Sequence, residues 1–183
     1  MEKKIGFIGC GGIANQKHFP GMSQQTEYVD MCAFCDLIPE RAEKAAKEYG
    51  TPDAKVYTDY HELLADPTID AVHVLTPNIA HCEITIAALE AGKHVLCEKP
   101  IASNASEFQQ MYDTAIKNQV ILLEAMRSVF SPGFAAIRSL LPVLGTIRQI
   151  DFSFCKYSSR YDHFKEGIIE NAFHPALSNA ALM

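Results

Sequence analysis

The chain has 183 residues, 48% of them hydrophobic and 21% charged, and a formal net charge of -6. That is the composition of a globular protein with room for one domain and part of another, and without a basic cluster it argues against a nucleic-acid partner. No apolar run approaches the ~20 residues that span a bilayer, and Met1-Glu2-Lys3-Lys4 leads into a strand and not a signal peptide, so no membrane partner and a cytoplasmic location are expected.

Ile5, Phe7 and Ile8 form a short apolar run of strand length, followed by Gly9-Cys10-Gly11-Gly12-Ile13-Ala14. This fits G-x-G-x-x-G/A at a strand-to-helix junction. Gly9 permits the tight turn, Gly11 lets backbone approach a pyrophosphate, and Ala14 lets the new helix pack closely on the sheet. Gly12 and Ile13 open that helix, where free N–H groups and the macrodipole favour phosphate. The helix is expected to run from Gly12 to about Phe19 and to stop at Pro20-Gly21. Val29 to Cys35 is the second strand. Asp36 closes it at the spacing, roughly 20 residues, where an acid holds ribose hydroxyls. Within this strand Cys32 and Cys35 formally read C-x-x-C. Residues three apart on a strand point to opposite faces, so a shared metal or disulfide is not expected. All six cysteines read as small apolar residues of a reducing compartment.

A helix follows over residues 40–49, with Pro39 in its first turn and Gly50 as its C-cap. Lys55 to Thr58 is a short third strand, and Tyr60 to Ala65 a short helix stopped by Asp66-Pro67. Ala71 to Leu75 is a fourth strand, apolar enough for a sheet covered on both faces, and Thr76-Pro77-Asn78 breaks it. His81 to Ala91 is a helix, with Gly92 as C-cap. His94 to Cys97 is the fifth strand, ended by Glu98-Lys99-Pro100. Ser103 is expected to cap a helix reaching about Asn118, and Val120 to Glu124 is the sixth strand. His73 and His94, inside strands, read as core or edge residues. The alternation of strand and helix predicts an α/β fold with a doubly wound parallel sheet over residues 1–125.

After Glu124 the pattern changes. Pro132 to Leu141 reads as a helix, and Thr146 to Lys156 as a strand whose Ile150, Phe152 and Phe154 share one face. Such alternation suggests an antiparallel sheet covered on one face. Residues 157–183 show no clear element. Residues 126–183 are therefore expected to begin a second, α+β domain that is incomplete within this chain, since one helix and one strand cannot bury a core.

Ligands of open parallel sheets bind beyond the carboxyl ends of the strands. Those ends carry the glycine loop, Asp36, Thr76-Pro77-Asn78 with His81, Glu98-Lys99-Pro100, and Glu124 with Arg127. Asn78 is either a helix cap or a cofactor contact, and so is His81. Lys99, at the end of a buried strand, gains a general acid or base role if desolvation beside a cofactor lowers its pKa. His163 and His174 lie further on without a distinguishing pattern. No set of His, Cys and carboxylate has metal-ligand spacing.

Three segments together carry a family resemblance: the glycine loop, Thr76-Pro77-Asn78-Ile79-Ala80-His81, and Ala91-Gly92-Lys93-His94-Val95-Leu96-Cys97-Glu98-Lys99-Pro100. The chain resembles the glucose–fructose oxidoreductase / inositol dehydrogenase / rhizopine-catabolism (Gfo/Idh/MocA) family. The resemblance implies an N-terminal Rossmann domain binding NAD, with NADP possible, and a second domain carrying the substrate face and usually a dimer interface. The implied chemistry is hydride transfer at a hydroxyl/carbonyl pair of a sugar, inositol or related polyol. Lys99 matches the family's catalytic lysine. Gly9, Gly11, Gly12, Ile13, Asp36, Thr76, Pro77, Asn78, His81, Glu98, Lys99 and Arg127 are the implied cofactor contacts, and Asp36 favours NAD by repelling a 2′-phosphate. Arg41 is placed to host that phosphate instead. The family's further catalytic Asp and its His or Tyr partner have no counterpart here, since residues 176–183 match only the approach to the helix that bears them. The 183 residues are thus expected to bind cofactor without turnover, within a parent enzyme expected to be a homo-oligomer. A rival expectation is a dinucleotide-binding regulator that has kept the fold and lost the reaction.

Overall fold

The structure, a computed structural model, describes residues 3–153, 155, 157, 158 and 160–168. Six strands form one parallel sheet: β1 (Lys3–Ile8), β2 (Val29–Cys35), β3 (Lys55–Tyr57), β4 (Ala71–Val74), β5 (His94–Cys97) and β6 (Leu122–Glu124). Their order is β3-β2-β1-β4-β5-β6. Strand order therefore reverses between β1 and β4, which makes a switch-point crevice between the turns that follow those two strands.

Both faces of the sheet are covered, as the continuous apolar strands require. On one face Ile8, Ala33, Cys35, Val72, Val74, Val95 and Cys97 meet α3 (Tyr60–Ala65), α4 (His81–Glu90) and α5 (Ala105–Asn118) through Leu63, Ile84, Ala88, Leu89 and Ala115. On the other, Phe7, Met31, Phe34 and Leu75 meet Ala14, Phe19 and two alanines, Ala42 and Ala45, of α2 (Pro39–Tyr49). Phe7 anchors this second layer, 5.2 Å edge-on from Phe19 and 5.3 Å stacked on Phe34.

The helix after the glycine loop does not stop at Pro20-Gly21. It opens at Gly12, widens into a π-helical stretch over Ala14–His18, and continues as α1 (Phe19–Met22). Phe19 N–H reaches back five residues to Ala14 O, and Ser23 N–H four residues to Phe19 O. Pro20 falls where the bonding pattern changes from five to four, so its missing N–H costs little there.

Three further expectations are corrected. The cap of α5 is Asn104, not Ser103: its side chain accepts from Glu107 N–H, while the Glu107 carboxylate accepts from the Asn104 side-chain amide and from the N–H of Ser103, one residue before the cap, a variant of the capping box. Cys32 and Cys35 do not face opposite ways. The register between β1 and β2 slips between Ile5 and Gly6, so Cys32 is the extra residue of a bulge and packs towards the same layer as Cys35. Both thiols are free. Burial pushes the Cys35 thiol up to about 12 and the Cys32 thiol up to about 11, with nearby carboxylates adding to the shift.

The third correction is beyond β6. Here a 3₁₀ turn over Arg127–Phe130 leads to α6 (Pro132–Leu140), capped by the Ser131 hydroxyl, and to a short α7 (Tyr161–Lys165) where no element was expected. The strand expected over 146–156 is not formed in the described residues: 147–153 have no regular structure. A strand exists only as part of a hydrogen-bonded ladder, and β6 is the last strand of the described sheet. The apolar side chains of that segment stay open to water, Ile150 at 57% and Phe152 at 92% exposure. The segment 176–183 and His174 lie outside the described residues.

Candidate active site

Because every strand is parallel, all the carboxyl ends lie on one edge. Backbone bonds align them: Gly9 N–H donates to Cys35 O, Leu75 N–H to Ile8 O, Glu98 N–H to Val74 O and Ala125 N–H to Cys97 O. The glycine loop, Asp36, the Thr76 turn, the Lys99 turn and the segment leading to Arg127 are thus brought to the same rim. Arg127 is exposed on its outer end, past β6.

The two glycines at the switch point differ in kind. Gly9 has φ +100°, and a Cβ there would sit 2.8 Å from the Leu75 carbonyl, so the turns after β1 and β4 touch through it. Gly11 would present a Cβ to open space, with nothing within 4 Å. Its exposed face is a cradle that only a missing side chain keeps clear, beside the free N–H groups of the helix start at Gly12 and Ile13. The Asn15 amide fixes the loop from behind, donating to Cys10 O and Gly11 O at 2.8 Å each. These residues fit a pyrophosphate.

Asp36 is tied to that loop. Its Oδ2 accepts from Cys10 N–H at 2.8 Å and its Oδ1 from Ile38 N–H at 2.9 Å. A carboxylate has about four acceptor positions, so two remain for ribose hydroxyls. Arg41 Nη1 lies 4.0 Å from Oδ1, its side chain about half exposed. Cys10, beneath the loop, is inert: burial, then the Asp36 charge, pushes its thiol up to about 12.

Across the crevice, Thr76, Pro77 and Asn78 form the turn after β4. Asn78 does not cap α4. It opens a 3₁₀ turn over Asn78–Ala80, with Pro77 and Ala80 as the successive N-caps. His81 is fully buried, and its ring nitrogens lie 2.8 Å from Pro100 O and 2.9 Å from Thr76 O. It fastens the Thr76 turn to the Lys99 turn and presents no free edge to a ligand. Glu124 Oε1 accepts from Ile101 N–H at 3.0 Å and braces the Lys99 turn from β6.

Glu98 is buried behind its exposed neighbour Lys99. Its Oε1 lies 2.8 Å from His18 Nε2 and its Oε2 accepts from Lys99 N–H at 2.8 Å. Burial works against its charge, but the bonds from His18 and Lys99 N–H outweigh that and hold the carboxyl below its usual range. The desolvation invoked for Lys99 is not supplied by the described residues. Asn15 and His18 were not anticipated as builders of this site. Asn15 carries a local signal, a short amide within reach of two loop carbonyls. His18 meets Glu98 across 80 residues of sequence, which no local pattern reveals.

Among the described residues no group of three His, Cys, Asp or Glu is placed to hold a metal, and no helix is long and apolar enough to cross a membrane.

Known proteins share this fold and much of this sequence. The chain is 43% identical over 180 residues, 98% of its length, to scyllo-inositol 2-dehydrogenase (NADP(+)) IolU of Bacillus subtilis, covering 54% of that protein. It is 32% identical over 177 residues, 93% of its length, to an inositol 2-dehydrogenase/D-chiro-inositol 3-dehydrogenase of Lactiplantibacillus plantarum, covering 49% of it. The chain spans about half the length of the curated relatives it matches. Among solved structures, an NAD binding oxidoreductase from Klebsiella pneumoniae superposes with a TM-score of 0.68 at 30% identity, over 78% of this chain and 39% of that one. KijD10, a 3-ketoreductase from Actinomadura kijaniata in complex with NADP and TDP-benzene, gives 0.72 at 25% identity, over 78% and 43%. The model of the oxidoreductase family with an NAD-binding Rossmann fold, Gfo/Idh/MocA, matches residues 3–126, and the chain belongs to that family.

Proposed function

We propose that the protein to which these residues belong transfers a hydride between NAD(P) and a hydroxyl/carbonyl carbon of an inositol, sugar or related polyol. The observation that carries this reading is the convergence of the open Gly11 cradle, the Asp36 carboxylate and the Lys99 turn on one rim, at the switch point of the sheet. Relatives named as inositol dehydrogenases support the substrate class.

In this reading the loop from Gly9 to Ile13 binds the pyrophosphate through backbone N–H groups. Asp36 orients the adenosine ribose, Arg41 accepts a 2′-phosphate where one is present, and Thr76, Pro77 and Asn78 line the opposite wall. Arg127, at the outer end of the rim, adds positive charge. The bound dinucleotide supplies or accepts the hydride. Lys99 takes the hydroxyl proton in the oxidative direction and returns it to the carbonyl oxygen in the reverse, a role typically worth ~10²–10⁴ in rate. Residues 126–183 begin the substrate domain, and the 183 residues alone hold cofactor without turning polyol over. The whole protein works as a homo-oligomer.

The test has two parts. Titrating the chain with NADPH and NADH while following nicotinamide fluorescence should give saturable binding. In the whole protein, a panel of inositols and sugars with either cofactor should reveal oxidation that Lys99→Ala reduces at least ~100-fold. Absence of binding, or a Lys99→Ala enzyme as fast as wild type, overturns the reading. The same substitution separates the regulator alternative, in which neither protein turns over.

A further inference from the structure

We infer that His18 is a positioning residue: through Glu98 it latches the helix of the pyrophosphate loop to the lysine turn, so that the nicotinamide half of the cofactor meets Lys99 in a fixed place. The inference rests on the dinucleotide reading above.

Three observations carry it. The first is the reach of the contact. His18 lies on the helix after β1, Glu98 follows β5, and β4 runs between those strands. Their 2.8 Å contact therefore spans the switch-point crevice from the phosphate-binding side to the lysine side. An ionised Glu98 is acceptor-only, so His18 Nε2 donates, and the other carboxylate oxygen holds Lys99 N–H. His18, Glu98 and the Lys99 backbone are thus one hydrogen-bonded chain.

The second is the π-helical stretch Ala14–His18, which ends on this histidine. Such a stretch amounts to one residue inserted into an α-helix, and each helical residue turns the chain by ~100°. In a regular helix the side chain at position 18 would face away from Glu98 by about that angle. The irregular turn is what aims it.

The third is what lies beneath. His73 of β4 is 1% exposed, its ring edge-on to His18 at 4.4 Å, and neither of its nitrogens has a hydrogen-bond partner. Burial, with the neighbouring His18 adding to it, lowers its pKa to about 3, so it packs as a neutral ring. A tier of this kind, with a carboxylate kept charged at 8% exposure, is a costly way to build packing alone. Apolar residues of similar volume are often as stable or more so. The polar chain is therefore read as a device for placement.

The experiment compares two probes on the 183-residue chain: the reduced dinucleotide, NADPH or NADH, whichever wild type holds more tightly, and the matching ligand without nicotinamide, 2′-phospho-ADP-ribose or ADP-ribose. His18→Leu should weaken the whole dinucleotide ~5-fold or more, within the range expected for a residue acting through a network, and change the shortened ligand less than ~2-fold. His18→Gln, which can still donate to Glu98, should restore binding to within ~2-fold. The losses of His18→Leu and Glu98→Leu, which removes both acceptors, should not add in the double variant. If His18→Leu does not fold, Glu98→Leu must show the same split between ligands. Equal losses for both ligands, no loss for either, no rescue by glutamine, or additive losses overturn the inference while leaving cofactor binding intact. A wild-type chain that binds neither ligand sinks the functional reading first and this inference with it.

Discussion

Two glycines separated by a single residue, Gly9 and Gly11, offer the sharpest separation of fold from function. At Gly11 an added methyl meets nothing within 4 Å, and the residue is not among the glycines of positive φ. Gly11→Ala should then leave the empty protein intact or stabilise it by ~0.4–1 kcal/mol through the unfolded chain. At ~2–4 °C per kcal/mol for a chain of this size, Tm rises about 1–4 °C. The same methyl fills the proposed pyrophosphate cradle. Losing one charge-assisted contact costs ~1.5–3 kcal/mol, so Kd for NADPH or NADH should rise about 10- to 150-fold. Gly9→Ala inverts this. At φ +100° with backbone 2.8 Å from the new Cβ, strain and overpacking together cost ~2 kcal/mol or more, lowering Tm by ~4 °C or more. Calorimetry paired with nicotinamide fluorescence reads both quantities. A Gly11→Ala chain that binds as wild type does, or that melts as early as Gly9→Ala, would refute the assignment of the cradle.

Arg41→Ala should weaken NADPH ~10-fold or more and leave NADH unchanged, since only the former has a phosphate for that exposed guanidinium; equal effects would remove Arg41 from cofactor choice. His73, with His18 and Glu98 facing it, has a pKa lowered to about 3 against ~6.5 unfolded. The unfolded chain therefore takes the proton first, and stability is lost as pH falls from ~6.5 towards 3. Urea midpoints across that range should fall less steeply for His73→Leu than for wild type. Asp66 behaves as a depressed carboxylate, held down by Lys55 and Thr68: its contribution is complete above ~3.9 and fades as pH falls below that, so Asp66→Asn should flatten the most acid part of the curve. The exposed apolar residues from Val129 to Phe152 should make the chain self-associate, and light scattering of a monomer at high concentration would contradict this.

The sheet was legible because its strands are short apolar runs punctuated by Gly, Pro and Asp, and because parallel strands force their carboxyl ends onto one edge. The motif-bearing turns are therefore grouped by strand direction alone. What escaped was set by distant partners. Pro20 reads as a stop until a π-helical turn removes the need for its N–H. The cysteine parity failed because a bulge opposite Ile5 adds one residue to β2. The alternation over 146–156 is a statement about which face would be buried, and it becomes a strand only beside another strand. His18, His73 and Glu98 come from three separate elements, and their stacking depends on the order of strands, which periodicity does not encode.

In the proposed function one rim holds the dinucleotide, with the lysine amine at its reactive ring. A crystal structure of the chain with NADPH or NADH measures this directly. The pyrophosphate should lie on Gly11 and the Lys99 amine on the same side of the sheet as the nicotinamide, within reach of a substrate oxygen. Density for the dinucleotide at any other edge, or a Lys99 side chain turned away from the nicotinamide ring, would contradict it.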